Sequence, residues 1–205
     1  MHANGFDAVL FDFDGVIVDS EPLHQQCWRE VLAPLGIDLT WEHYHKHFVG
    51  LSDRRMFEDF VAMASKPVRM EDLIALYPAK NALFGERILA LSPFAAGIRE
   101  LIAELSAYRL GVVSSSNGRE VRPVLAVGGI LARLDVTICG EDVTRHKPDP
   151  EPYRRAAEIL GVRNPLVVED SEAGESSGRA AGFEVLRISS PDQTTAMVRR
   201  RLGMT

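Results

Sequence analysis

The chain is poor in cysteine and in long apolar runs, and its basic residues are outnumbered by acidic ones. Only Cys27 and Cys139 occur among 205 residues, in no metal-ligand spacing. That excludes a disulfide framework and predicts two reduced, mostly buried thiols. Lys and Arg number 23 against 29 Asp and Glu, for a formal net charge of −6. No concentrated basic face is visible, so nucleic acid is not expected as a partner, and an anionic small substrate must find local cations. No apolar stretch approaches the length that spans a bilayer, and the opening MHANGFDAVLF lacks a basic segment leading into a signal-peptide core. The expectation is a cytoplasmic protein with no membrane partner. Internal repeats and low-complexity segments are absent too. What is present is 46% hydrophobic residues, enough to bury the core of one domain or of a domain carrying an insertion.

Apolar runs and amphipathic stretches alternate through most of the chain. Strands are expected near Ala8 to Asp12, Leu110 to Ser114, Asp135 to Cys139, Leu166 to Glu169 and Glu184 to Ile188. Helices are expected at about Phe94 to Tyr108, Arg119 to Val127, Glu151 to Leu160, Glu172 to Ala181 and Gln193 to Leu202. Strands that read as continuous apolar runs between amphipathic helices indicate a parallel sheet covered on both faces, an α/β doubly wound, Rossmann-like domain. Between Ser20 and Leu91 the alternation stops. That segment reads as helices only: Pro22 to Leu35, Trp41 to His47, Arg54 to Ala64 and Met70 to Ala90. The expected organisation is an α/β core at 1–19 and 91–205 with an inserted α-helical cap at 20–90. The junctions Asp19 to Glu21 and Leu91 to Phe94 would serve as a hinge pair.

Four short segments carry the chemistry: DFDGVIVDSE from Asp12, LGVVSSSN ending at Asn117, KPDPEPY from Lys147, and VVEDSEAG from Val167. Ligands of a parallel sheet bind at the carboxyl ends of its strands, and Asp12, Ser114 and Asp170 each fall at or just past such an end. A carboxylate can attack phosphorus and hold the phosphoryl group as a mixed anhydride, which assigns Asp12 as nucleophile. Asp14, two residues on, reaches the same side if the strand runs through, and can act as general acid and base. Gly15 lets the backbone turn sharply beside a bound phosphate. Asp12, Asp14, Glu169 and Asp170 gathered around a phosphate would repel one another, so a hard cation is required, and oxygen-only ligands fit Mg2+. Lys147 supplies a fixed positive charge, in a loop that Pro148 and Pro150 should hold extended. Ser114, with the hydroxyls and amides of Ser115, Ser116 and Asn117, can donate to the phosphoryl oxygens near a helix start. Taken singly, Asp-x-Asp, Lys-Pro and a serine run are ordinary turns, loops and caps. Their conjunction, each placed after a strand or before a helix, points to catalysis.

These segments resemble the four motifs of the haloacid dehalogenase-like hydrolase superfamily, over nearly the whole chain. The helical insert after the first motif looks like the branch that includes β-phosphoglucomutase and phosphoglycolate phosphatase. The resemblance implies an aspartyl-phosphate on Asp12 and Mg2+ bound through the side chains of Asp12 and Asp170 and the backbone carbonyl of Asp14, with Glu169 mostly one shell further out. Haloacid dehalogenases themselves lack the second aspartate of the first motif, so Asp14 speaks for phosphate chemistry.

Specificity is expected in the cap. His24, Trp28, Lys80 and Asn81 match positions in the β-phosphoglucomutase pattern, and GLSDRR from Gly50 looks like its specificity loop, which makes Ser52 and Arg54 candidate substrate ligands. Two departures count against a mutase. Asp53 stands where the mutase has an arginine, and Asn117 where it has a lysine. The resulting expectation is a phosphatase acting on a small phosphorylated metabolite such as a sugar phosphate. A β-phosphoglucomutase-like phosphomutase is the alternative, and a catalytically silent binding module the third reading. Nothing in these features demands an oligomer. The run His43, His45, His47 suggests metal, yet helical residues two apart do not share a face, and it reads as polar surface. His146 reads as a loop residue outside the metal's ligands.

Overall fold

A computed structural model describes residues 5–48, 53–91 and 94–204, the side chains of 53–55 excepted. The chain divides into two compact units, Ser20–Leu91 and the combined segments Met1–Asp19 and Ser92–Thr205. The expected second junction, Leu91 to Phe94, lies partly outside the described residues.

The Ser20–Leu91 unit is helical, with α1 (Glu21–Leu32), α2 (Trp41–His47), α3 (Asp53–Met63), α4 (Met70–Ile74) and α5 (Tyr77–Leu91). A short 3-10 turn, Ala33–Leu35, ends α1 where Pro34 intervenes, and Gly36 then adopts the left-handed conformation. Thr40 caps α2 by accepting from the His43 amide. The expected single helix from Met70 to Ala90 is instead two. Pro78 has no N–H to return to the Ile74 carbonyl and its ring crowds that turn, so the helix restarts at Tyr77. The apolar faces meet in a buried cluster of Trp28, Leu32, Tyr44, Phe48, Phe57, Phe60 and Leu73. Trp28 stands edge-on to Phe57, centroids 5.4 Å apart, and Arg87 on α5 pairs with Glu30 on α1 at 2.6 Å.

In the other unit, β1 (Ala8–Phe11), β2 (Arg109–Val113), β3 (Val136–Ile138), β4 (Pro165–Glu169) and β5 (Glu184–Arg187) form one sheet in the order β3-β2-β1-β4-β5. All its pairings are parallel. Every residue of β1 and β4 is buried, so both faces of the sheet are covered. The covering helices are α6 (Ile98–Glu104), α7 (Gly118–Val127), α8 (Glu151–Leu160), α9 (Glu172–Ala180) and α10 (Pro191–Leu202). One face packs Leu10, Val113, Ile138 and Val167 against Tyr153 and Ala156 of α8. Gly178 lets α9 approach closely, since a Cβ there would stand 2.7 Å from Val185. Arg199 of α10 pairs with Glu104 of α6 at 2.7 Å. Among the described residues no helix is long and apolar enough to cross a membrane.

Candidate active site

The central strands end within one residue of one another. Phe11 of β1 registers with Val112 of β2 and with Val168 of β4. Just past these ends the sequence turns from apolar to polar, and the ladder continues long enough to fix the first polar residues. Asp12 donates its amide to the Val168 carbonyl at 2.9 Å, and Ser114 donates its amide to that of Ile138 at 2.9 Å. The chain then bends at Gly15, whose φ of 74° is left-handed. A Cβ at Gly15 would lie 2.0 Å from the Asp170 carboxylate, so glycine is needed twice over, for the turn and for the approach of the Asp14–Gly15 peptide to Asp170.

Lys147 reaches this point from the loop before α8. Its ammonium donates to Asp12 Oδ1 at 2.5 Å, to the Val113 carbonyl at 2.8 Å and to Glu169 Oε1 at 2.6 Å. All three protons are thus committed, and the charge is held in one place. The loop is not extended throughout as expected: the Lys147–Pro148 peptide is cis, and Pro150 has helical backbone angles as the cap of α8. Ser177 steadies the loop by donating to the Asp149 carbonyl at 2.6 Å.

Burial opposes charge throughout this cluster. It pushes the Asp12 carboxyl well above its ordinary range despite Lys147, with Glu169, Asp170 and Asp14 adding repulsion. It lifts Asp170 to about 6, again with Glu169 and Asp14 repelling. Burial also works against the Lys147 ammonium, but attraction to Asp12 and Glu169 outweighs it and holds the pKa above that of an ordinary lysine. For Glu169 the upward push of burial is outweighed by Lys147, Tyr153 and Ser171, leaving the carboxyl below its usual range. One ammonium therefore serves three neighbouring carboxylates. Asp12, Glu169 and Asp170 each offer an oxygen within 4.8 Å of the others. A hard, oxygen-seeking divalent cation such as Mg2+ fits this donor set, and the excess negative charge is what it would offset.

The serine loop serves the site differently from expectation. Ser114 Oγ accepts from the Ser116 amide at 3.0 Å, and Ser116 Oγ donates to Asp14 Oδ2 at 2.8 Å. Asn117 caps α7, its Oδ1 accepting from the Arg119 amide at 2.9 Å. Glu141 takes the Gly118 amide at 3.0 Å. The first amides of α7 are thus satisfied within the chain and are not turned to a phosphoryl oxygen.

In the helical unit, Lys80 is buried at 3% exposure. Its ammonium lies 5.0 Å from the Phe84 ring centroid, 5.6 Å from Trp28 and 5.8 Å from Tyr77. His24 stacks on Phe84 at 4.0 Å. Burial, then Lys80, drives its pKa well below the ordinary histidine value. The Asn81 Oδ1 is buried with no hydrogen-bond partner among the described residues. Ser52 and the side chain of Arg54 lie outside the described residues. His43 and His47, four residues apart, do share a face with ring centroids 4.7 Å apart, while His45 leans on Trp41 instead. Among the described residues only Asp12, Glu169 and Asp170 gather three metal-competent side chains, and His146 is exposed.

Two contributors escaped the sequence reading. Tyr153 is fully buried and donates to Glu169 Oε1 at 2.6 Å, its ring lying 5.0 Å from the Lys147 ammonium. Its position ending KPDPEPY, on the inward face of α8, was the available signal. Gly174 is the other: a Cβ there would collide with the Glu169 carboxylate.

Fold and site together define a class, a parallel α/β hydrolase with a carboxylate and lysine cluster at the strand ends. The chain belongs to the haloacid dehalogenase-like hydrolase family, whose model matches residues 9–188, and it is a phosphoric monoester hydrolase of that family. It is 30% identical to a phosphorylated carbohydrates phosphatase of Thermotoga maritima over 87% of this chain and 82% of the relative. It is 29% identical to a phosphoglycolate phosphatase of Cupriavidus necator over 88% and 80%. A β-phosphoglucomutase structure from Clostridium difficile shares the fold, with a TM-score of 0.74, 21% identity and 97% of each chain covered.

Proposed function

We propose that the protein is a magnesium-dependent phosphatase that hydrolyses a small phosphorylated metabolite, of the sugar-phosphate class, through an aspartyl-phosphate on Asp12. The observation that carries this reading is the Asp12 carboxylate at the end of β1, held by Lys147 inside the only three-carboxylate cluster among the described residues. An Asp12 oxygen attacks phosphorus as the bond to the leaving oxygen breaks, and the Asp14 carboxyl passes its proton to that oxygen. Water then attacks phosphorus, the bond to Asp12 breaks, and Asp14 takes the proton back. Lys147 keeps the nucleophile oriented and offsets charge on the phosphoryl oxygens, to which Ser114 and the Ser115 amide donate. Asp12 and Asp170 side chains with the Asp14 carbonyl would hold Mg2+, and Glu169 supports them from behind. When bound, the ion neutralises charge gathered on the carboxylates and the phosphoryl group.

Two relatives act, by their names, on phosphorylated carbohydrates and phosphoglycolate, which supports a small organic phosphate. In this reading the specificity contacts come from Lys80, a buried cation ringed by aromatics, and His24, with Ser52 and Arg54 as further candidates. Hydrolysis is favoured over phosphomutase chemistry because the side-chain oxygen of Asn117 is spent capping α7 where the mutase pattern has a cation. Both cysteines are buried free thiols, which suits a reducing compartment, and we place the enzyme in the cytoplasm.

The test is turnover of p-nitrophenyl phosphate and of a panel of sugar phosphates and phosphoglycolate, with Mg2+ and with EDTA. Asp12→Asn should lower kcat by about 10³-fold or more, and EDTA should abolish turnover reversibly. An Asp12→Asn variant within about tenfold of wild type would overturn the nucleophile assignment.

A further inference from the structure

The geometry points to Ser116 as a positioning residue for the general acid, Asp14, rather than as a ligand of the substrate. The inference rests on the reading of Asp14 proposed above. Ser116 is pinned at three atoms. Its amide donates to Ser114 Oγ at 3.0 Å. Its carbonyl accepts from the Gly140 amide at 3.0 Å. Its hydroxyl donates to Asp14 Oδ2 at 2.8 Å across 102 residues of sequence. Gly140 is part of the same arrangement, because a Cβ there would stand 2.7 Å from the Ser115 carbonyl and push the loop away. The hydroxyl is therefore delivered to Asp14 by a loop tied both to the end of β2 and to the turn after β3.

A hydroxyl donating to one carboxyl oxygen fixes the orientation of that group, and the carboxylate left after Asp14 has passed on a proton is stabilised by a charge-assisted hydrogen bond. In the first displacement the bond from phosphorus to the leaving oxygen breaks, the bond from Asp12 to phosphorus forms, and the proton of the Asp14 carboxyl moves to the leaving oxygen. A leaving group that departs readily as an anion gains little from that proton, whereas a poor one depends on it. Ser116 should thus matter in proportion to the basicity of the leaving group, which a residue that merely binds substrate would not do.

The experiment measures kcat/KM, which reports events through the first displacement, for substituted phenyl phosphates from nitro to methyl in wild type, Ser116→Ala, Ser116→Thr and Asp14→Asn. The aryl group stays nearly constant in size while the leaving-group pKa changes. Ser116→Ala should lose little on p-nitrophenyl phosphate and about tenfold on the most basic phenol, so that its plot against leaving-group pKa is steeper than that of wild type. The loss should appear in kcat with KM little changed, and Ser116→Thr, which keeps the hydroxyl, should restore the wild-type slope. A uniform loss across the series, or a rise in KM alone, would overturn the proposal. Asp14→Asn separates the two levels of argument. If it steepens the plot and Ser116→Ala does not, only the role of Ser116 falls; if Asp14→Asn leaves the slope unchanged, Asp14 is not the general acid and the mechanism itself fails.

Discussion

Glu169 is the residue whose role the geometry sharpens most. Its oxygens lie near enough to those of Asp12 and Asp170 to join a metal site, yet its side chain is fully buried and both oxygens are engaged. Oε1 accepts from Lys147 and Tyr153, at 2.6 Å each, and Oε2 accepts from Ser171 Oγ at 3.0 Å. A carboxylate so saturated holds Lys147 in place more readily than it ligates an ion. Tyr153 is a constant donor to it, because burial and the neighbouring Glu169 push its pKa up and keep it protonated. Tyr153→Phe should destabilise the fold by about 1–3 kcal/mol, the cost of leaving a buried charged acceptor short of one donor. Urea unfolding of the two proteins checks this, and an unchanged midpoint would mean that Lys147 and Ser171 alone satisfy Glu169.

At the scale of elements, α1 and α5 share a basic pair, the half-buried His24 and the buried Lys80. His24 on α1 stacks on Phe84 of α5, and its pKa is lowered by burial and by Lys80. A histidine depressed in the folded state binds fewer protons there than in the unfolded chain. Its contribution is therefore fully present above the unfolded pKa of about 6.5 and is lost as pH falls toward the folded value. Between pH 7.5 and 5.5 this one group should cost about 1 kcal/mol of stability, given that it is only half-buried. Thermal unfolding of His24→Gln should show a flatter dependence over that window, and a parallel curve would assign the acid sensitivity elsewhere. Most elements were legible in the sequence, since strands buried on both faces read as unbroken apolar runs and their polar successors, Asp12, Ser114 and Asp170, mark the carboxyl ends. The division between α4 and α5 was missed because the apolar spacing runs on through Pro78, where backbone chemistry rather than periodicity decides. Tyr153 was hidden for a related reason: on the inward face of a helix an aromatic ring satisfies the core pattern, and the pattern says nothing about its hydroxyl. The hydrogen bond from Ser116 to Asp14 joins residues 102 positions apart, which no local spacing can reveal.

For the molecule as a whole, charge connects stability to activity. A chain with a net charge of −6 folds so that Asp12, Glu169 and Asp170 converge, with Lys147 as the cation that answers them. The apo fold therefore carries a local repulsion that the unfolded chain, with these carboxylates dispersed in water, does not. An ion that binds the folded state alone must shift the unfolding equilibrium by mass action, whether or not substrate is present. Mg2+ at ten times its dissociation constant should add about 1.4 kcal/mol to the unfolding free energy, and for a chain of this size that raises the thermal midpoint by about 3–6 °C. Asp170→Asn removes both a ligand and part of the repulsion, so the variant should unfold at or above the wild-type midpoint without Mg2+ and respond weakly when the ion is added. Thermal denaturation of the two proteins across a Mg2+ titration checks both halves. A wild-type midpoint indifferent to millimolar Mg2+ would show that Lys147 already balances the cluster and that the site does not bind this ion in the absence of substrate.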